Sequence, residues 1–292
     1  MKIGVITNGL SNDFEEACRI MCETGVRYAE IQHHNGIRIE YNPIEEAYKI
    51  RDIAAKYNII PVCVTTHAFV GIPVSAIEVG DPKYEEQMGL LKNGIRVAKI
   101  LNVPLVRSMC FSKQIVTFGS HGAENWMTGG NKAWSKLLEL YKPIIELAEQ
   151  EEIDLVVENG ANGMISSTVL FRKLYEDTGK SPRLKFLWDP ANALCYGEKP
   201  TPEVYESIRD ICAHIHIKDM TVDPVKSTVD IRNIGRGDMA PYLQDLAQVL
   251  RKDDYQGCVS LENIYQPEGK DYVDGYRLDI VELKKIFGDE IA

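Results

Sequence analysis

The chain has 292 residues, 45% of them hydrophobic, which is enough to bury a large core within one α/β domain. Its 33 Lys and Arg stand against 43 Asp and Glu, for a formal charge of −10 at pH 7. That balance argues against a nucleic-acid face, which needs clustered cations to displace counterions, and favours a neutral or polar small substrate.

Short β-type runs alternate with 3.6-period stretches along the whole length. The first run covers residues 2–7 and lacks the apolar length or cleavage pattern of a signal peptide or membrane span. Ser11 or Asn12 can cap a helix that runs to about Glu23 and stops at Gly25. A second run, Tyr28–Gln32, precedes a helix from Pro43 to about Tyr57, and a third, Ile59–Thr65, precedes one from Pro82 to Leu101. After the fourth run, Leu105–Met109, no helix begins until about Lys132.

The second half is more regular. The fifth run, Asp154–Glu158, is followed by a helix over 167–178, and the sixth, Leu184–Asp189, by one after Pro202. The seventh, Ala213–Lys218, leads to a helix over 239–252, and the eighth, Gly257–Glu262, to a last helix over Tyr272–Phe287. Eight strand–helix units of about 36 residues predict a single (β/α)8 TIM barrel over 1–292, with long loops after the fourth and seventh strands at 110–131 and 219–237. The seven cysteines form no Cys-x-x-Cys pair and fall mostly in apolar segments, which predicts a reducing, cytoplasmic setting.

The last four runs end in Glu158, Asp189, His216 and Glu262, spaced by 31, 27 and 46 residues. One such carboxylate could simply be solvated at a strand end. Four in consecutive strands, all at the end where barrel sites lie, point instead to a shared divalent metal held by oxygen and nitrogen donors. Such an ion polarises a carbonyl and acidifies the neighbouring C–H, so Glu158 and Glu262 on either side could remove and return that proton.

Other residues are expected around this centre. As substrate-binding residues, His67 follows the third run, Lys218 sits above His216 on its strand to hold a phosphate or enolate oxygen, and Asn192 lies just beyond Asp189 to bond a hydroxyl. His214 points to the same side as His216 but deeper, as an interior histidine. His33 and His34 end the second run, one expected to line the mouth and the other to pack outward. The glycine-rich stretch 118–130 carries His121 as an extra acid/base and Trp126 as a stacking surface, and reads as a lid. Arg232 or Arg236 is expected to reach the site from the loop after the seventh strand.

The segments Val157-Glu158-Asn159, Trp188-Asp189-Pro190-Ala191-Asn192, His214-Ile215-His216-Ile217-Lys218-Asp219 and Leu261-Glu262 resemble the xylose isomerase-like barrel superfamily of sugar isomerases and epimerases. The likeness is to the branch with D-tagatose 3-epimerase and the sugar phosphate isomerase/epimerase proteins. Ile234-Gly235-Arg236-Gly237-Asp238-Met239 is similar to the Gly-x-Gly-Asp turn before the penultimate helix of these proteins. The resemblance implies one divalent ion, Mn²⁺ first and Zn²⁺, Co²⁺ or Mg²⁺ as alternatives, held by Glu158, Asp189, His216 and Glu262. It further implies a metal-stabilised enediolate, a small carbohydrate substrate and a homo-oligomer.

The chain departs from that pattern at two points. Asn192 stands where the epimerases and endonuclease IV have a His, and Val222 where the epimerases have an Arg. A lyase of the same family is therefore the alternative, acting by deglycosylation of a 3-oxo-glycoside or dehydration of an inosose. A DNA-repair endonuclease is a distant third, for want of a basic face and of further histidines beyond the six present.

Overall fold

The computed structural model describes residues 1–114, 116, 117 and 119–288. Phe118, the first residue of the expected lid, and the last four residues of the expected domain lie outside them. In chain order the strands are β1 (Lys2–Ile6), β2 (Tyr28–Ile31), β3 (His33–His34), β4 (Ile37–Arg38), β5 (Ile60–Thr65), β6 (Leu105–Met109), β7 (Asp154–Glu158), β8 (Leu184–Trp188), β9 (Cys212–Ile217), β10 (Asp219–Asp223), β11 (Thr228–Arg232) and β12 (Cys258–Leu261). The helices are α1 (Phe14–Glu23), α2 (Glu46–Tyr57), α3 (Pro82–Leu101), α4 (Asn131–Gln150), α5 (Thr168–Asp177), α6 (Pro190–Leu194), α7 (Pro202–Glu206), α8 (Leu243–Lys252) and α9 (Tyr272–Phe287).

Eight of the strands close a parallel barrel in the order β1-β12-β9-β8-β7-β6-β5-β2, the (β/α)8 fold expected from the sequence. Side chains alternate along each strand, so every second one enters the barrel. Cys63, Leu105, Val156 and Leu187 form one apolar interior layer. Two residues further along the same strands or at their ends stand Thr65, Arg107, Glu158 and Asp189, all buried. The pleat thus stacks a polar layer on an apolar one, at the end where the strands exit. Outside the barrel, Trp188 turns to the helices and stacks on Tyr205 with ring centroids 6.3 Å apart.

Four local details differ from the sequence reading. Asp13, rather than Ser11 or Asn12, caps α1 by accepting the Glu16 N–H at 2.8 Å. A short helix, α6, begins directly after β8 because Asp189 is itself an N-cap, with Pro190 in the first turn where no N–H is needed. The stretch 219–237 is no plain loop: β10 and β11 form an antiparallel hairpin, with the period-2 alternation of Met-Thr-Val and Val-Asp-Ile as its signal. The helix expected from 239 starts at Leu243, after Pro241.

Asp219 anchors that hairpin to the barrel. Its Oδ2 accepts the N–H groups of Gly235, Arg236 and Gly237 at 2.9, 3.1 and 2.9 Å, and its Oδ1 those of Met220 and Met239 at 2.9 and 3.0 Å. Gly235 has φ of 81°, and a Cβ on Gly237 would lie 2.3 Å from Asp219 Oδ1, so the Gly-x-Gly spelling is required by this cradle. Asp219→Ala strands several donors at once, and we expect it to lower the free energy of unfolding by about 3 kcal/mol in urea titrations, with Asp219→Asn less damaging. An Asp219→Ala protein with an unchanged urea midpoint would show the cradle to be dispensable.

Candidate metal centre

β7, β8, β9 and β12 are neighbours in the barrel and deliver Glu158, Asp189, His216 and Glu262 to its mouth. One donor atom from each lies within 4.8 Å of the donor atoms of the other three. The side chains of Asp189 and His216 are 0% exposed and that of Glu158 5%, whereas that of Glu262 is 26% exposed, so the cluster opens on the Glu262 side. The fold therefore brings together the four residues that the sequence singled out.

Outer contacts fix which atom of each residue faces the centre. Asp189 Oδ1 is taken by the Asn192 N–H at 2.9 Å, leaving Oδ2. Arg107 donates to Glu158 Oε2 at 2.7 Å, leaving Oε1. The His216 Nε2–H points at both oxygens of Glu30, each 3.0 Å away, so Nδ1 turns to the cluster and lies 3.2 Å from Glu158 Oε1. A carboxylate behind a ligand histidine is the usual way to set its ring orientation and raise its donor strength. Glu30 is held in turn by the His214 ring at 2.6 Å and the Thr65 hydroxyl at 3.0 Å. His214 is thus the deeper, interior histidine expected from the strand's alternation.

The remaining cation is Lys218. Its ammonium donates to Asp189 Oδ2 at 2.6 Å and to Glu262 Oε2 at 2.5 Å, and only 7% of the side chain is exposed. Three carboxylates this close are tolerable because Arg107, Lys218 and the His216 imidazole offset their charge. Burial pushes the Glu158 carboxyl up, but Arg107 and then His216 outweigh it and bring it to about 2. Asp189 goes the other way: burial, with Glu262 and Glu158 nearby, pushes it up to about 6 against the pull of Lys218. Burial opposes the charge on Glu262 as well, yet Lys218 holds its carboxyl below the ordinary value. His216, although buried, is held well above the ordinary imidazole value by Glu30 and Glu158, so a metal ion arriving there displaces a proton.

Arg107 and Glu30 escaped the sequence reading. Each sits in mid-strand among apolar neighbours, Leu-Val-Arg-Ser-Met and Tyr-Ala-Glu-Ile. A charged residue at an inward position of a buried strand is the signal that could have found them. Arg107 is itself braced, by the Thr66 carbonyl at 3.2 Å and by His67 Nε2 at 3.4 Å. His67, 19% exposed, thus reaches the centre through Arg107, while its backbone N–H binds the buried Glu40 carboxylate at 2.9 Å. Asn192 caps the same corner from the other side: its Nδ2 donates to the Asn159 carbonyl at 2.9 Å, and Asn159 clamps the Asp189 backbone with two bonds of 2.7 Å.

The structure does not bring His121, Trp126 or Arg232 to this cluster. Among the described residues, His121 and Trp126 line a surface cleft with Ser75, Gln114 and Thr117, of about 290 Å³, which none of the four ligands borders. The turn Ala123–Trp126 packs on α4, and Lys132 stands 4.6 Å from the Trp126 ring centroid. Arg232 pairs across the hairpin with Asp219 in the strand register and is exposed, near Thr221 and Asp230. Of the two adjacent histidines, His34 is buried with Nε2 3.2 Å from Glu46 on α2, and His33 is half-buried. No helix among the described residues is long and apolar enough to cross a membrane.

Burial, and next to it the Arg107 charge, lower the His67 imidazole from 6.5 to about 3. A depressed value means that neutral His67 favours the fold above pH 6.5 and that this contribution is lost as the pH falls from 6.5 toward 3. His67→Gln is expected to lose less stability than the parent over that interval in parallel melts. Identical pH dependence in the two proteins would contradict a neutral, buried His67.

The model of the xylose isomerase-like TIM barrel family matches residues 18–279 of this chain. No curated protein matches it significantly by sequence. Among solved structures it is similar to a D-psicose 3-epimerase determined in the presence of D-fructose, with 15% identity, 99% of this chain and 100% of that one covered, and a TM-score of 0.71. It is also similar to the probable 3-DHS dehydratase of petrobactin synthesis from Bacillus anthracis, with 14% identity, 97% and 99% covered, and a TM-score of 0.72. A third is the IolI protein with a binding zinc atom, with 12% identity, 100% of both chains covered, and a TM-score of 0.71. At such identities these structures show a common fold. With its barrel closed and most of its length matched by the family model, the chain belongs to the xylose isomerase-like TIM barrel family.

Proposed function

We propose that this protein is a divalent-metal-dependent enzyme that moves a proton on the carbon beside a carbonyl in a keto-sugar or related polyol, with isomerisation or epimerisation as the net result. One observation carries the reading. Glu158 and Glu262 stand at the two ends of a four-strand arc, with Asp189 and His216 between them, and all four converge on one point. Two carboxylates on opposite flanks of a bound substrate are what proton transfer from one face and return to the other requires.

The donors that face the centre, Glu158 Oε1, Asp189 Oδ2, His216 Nδ1 and an oxygen of Glu262, fit a hard-to-borderline divalent ion such as Mn²⁺. When bound, that ion supplies Lewis acidity to the substrate carbonyl and an adjacent hydroxyl. The rest falls to the protein's own side chains. Arg107 keeps Glu158 ionised and fixed, so that one glutamate oxygen can take the proton as its C–H electron pair moves toward the carbonyl. Glu262, ionised at rest, stands on the open side where it can take up a proton from solvent and then return it to the other face, while Glu158 releases the one it removed. His67, partly exposed beside Arg107, is our candidate for contact with a substrate hydroxyl.

A lyase is the second reading. The aromatic and polar cleft of His121 and Trp126 lies on the loop after β6, which is joined to the Glu158 loop through the bridge between Ser112 and Gly163. That cleft borders none of Glu158, Asp189, His216 and Glu262, so the lyase reading rests on the shared first step: loss of a substituent after the same proton removal would give elimination.

The test is to load the protein with Mn²⁺ in D₂O and screen keto-sugars and 3-oxo-glycosides by NMR for C–H exchange. Glu158→Gln and Glu262→Gln should each slow exchange by roughly 10²-fold or more, the usual scale for loss of a general acid or base. Near-normal exchange in both would assign the proton transfer to another group. Asp189→Ala and His216→Ala should each lose most bound Mn²⁺ after dialysis, while His214→Ala loses stability more than metal. Stoichiometric Mn²⁺ in Asp189→Ala would remove the metal centre as placed here.

A further inference from the structure

Lys218 holds a position that the proposed function does not account for. Asp189 has a single oxygen to offer the centre, because its Oδ1 is committed to the Asn192 N–H, and that oxygen, Oδ2, is the one the Lys218 ammonium holds at 2.6 Å. The same ammonium takes Glu262 Oε2 at 2.5 Å. Two of the four ligands are thus already bonded to a cation. A divalent ion drawing on the same two carboxylates competes with the ammonium for their negative charge.

We propose that Lys218 is the internal stand-in for the metal. Its ammonium and the divalent ion occupy the space between Asp189 and Glu262 by turns, and loading turns the lysine out toward the substrate. This inference rests on the metal-centre reading above and adds to it a residue that sets ion affinity. The direction of the swing follows from exposure. Glu158, Asp189 and His216 close the cluster on the inside, with side chains at most 5% exposed, while Glu262 at 26% marks the open rim. Arg107 cannot play the same part, since its guanidinium is braced by Thr66, His67 and Glu158 on the far side of the cluster. Arg107 pairs with Glu158, and the one charge of Lys218 is shared between Asp189 and Glu262. A lysine displaced to the rim beside Glu262 is in turn placed to meet a substrate oxygen, so its eviction couples ion loading to completion of the substrate site.

Two measurements on the full-length, metal-stripped protein test this, with Mn²⁺ alone as the probe. Lys218→Met keeps the bulk and removes the charge, so Mn²⁺ should bind roughly tenfold or more tightly by calorimetry, no ammonium having to be displaced. In the parent protein, reductive methylation read by peptide mass spectrometry should label Lys218 several-fold faster with saturating Mn²⁺ than without it, a readout that needs no variant to fold. Unchanged or weaker Mn²⁺ binding in Lys218→Met overturns the proposal, as does labelling that ignores Mn²⁺. If the parent binds stoichiometric Mn²⁺ and either result fails, only the exchange is refuted. If neither protein binds Mn²⁺, the metal-centre reading falls with it.

Discussion

Everything at this site depends on the pleat of a closed parallel barrel. Alternate residues must face inward, and the interior is too narrow for water to reach most of them. Cys63, Leu105, Val156 and Leu187 meet that constraint with apolar side chains, and the next inward positions, Thr65, Arg107, Glu158 and Asp189, break it with polar ones. A polar layer in such a place survives only if each group finds a partner, so acids and bases are interleaved around the ring: Glu30 between His214 and His216, Glu158 between Arg107 and His216, Asp189 against Lys218.

The same pairing sets the chemistry. A buried carboxyl left alone would take up a proton and cease to be a base or a ligand. Arg107 reverses that for Glu158, and Lys218 keeps Glu262 below its ordinary value, while Asp189, the most enclosed of the three, is raised to about 6. The two glutamates assigned to proton transfer are thus the two held ionised. Asp189, tied by its backbone to Asn159 and by Oδ1 to the start of α6, is the one built to stay still. Position along the arc and charge environment agree on the division of labour.

Much of this is legible in the sequence. The strand–helix count gave the barrel, and the four strand-terminal residues named the cluster, because strand ends in a parallel barrel share one rim whatever the loops do. The illegible parts were of two kinds. Glu30 and Arg107 lie in mid-strand, where a lone charge looks like an outward-facing residue until the register of the closed sheet shows it pointing inward. His121, Trp126 and Arg232 lie on long excursions, and their distance from the rim depends on how those excursions fold back. The 219–237 segment became a hairpin pinned by Asp219, in which the exposed Arg232 side chain bonds to Thr221 and Asp230 of the hairpin itself.

The sequence by itself determined the architecture, the four residues of the candidate metal cluster and the interior role of His214, since these follow from periodicity and strand order. Only the tertiary structure decided which oxygen of each carboxylate faces the centre, that Glu30 orients His216, that Arg107 keeps Glu158 charged, and that Lys218 lies across two of the ligands. Those are contacts between residues 29 to 186 positions apart. They arise from closing the sheet into a ring, which sets side chains on distant strands face to face in a space with no water to separate them.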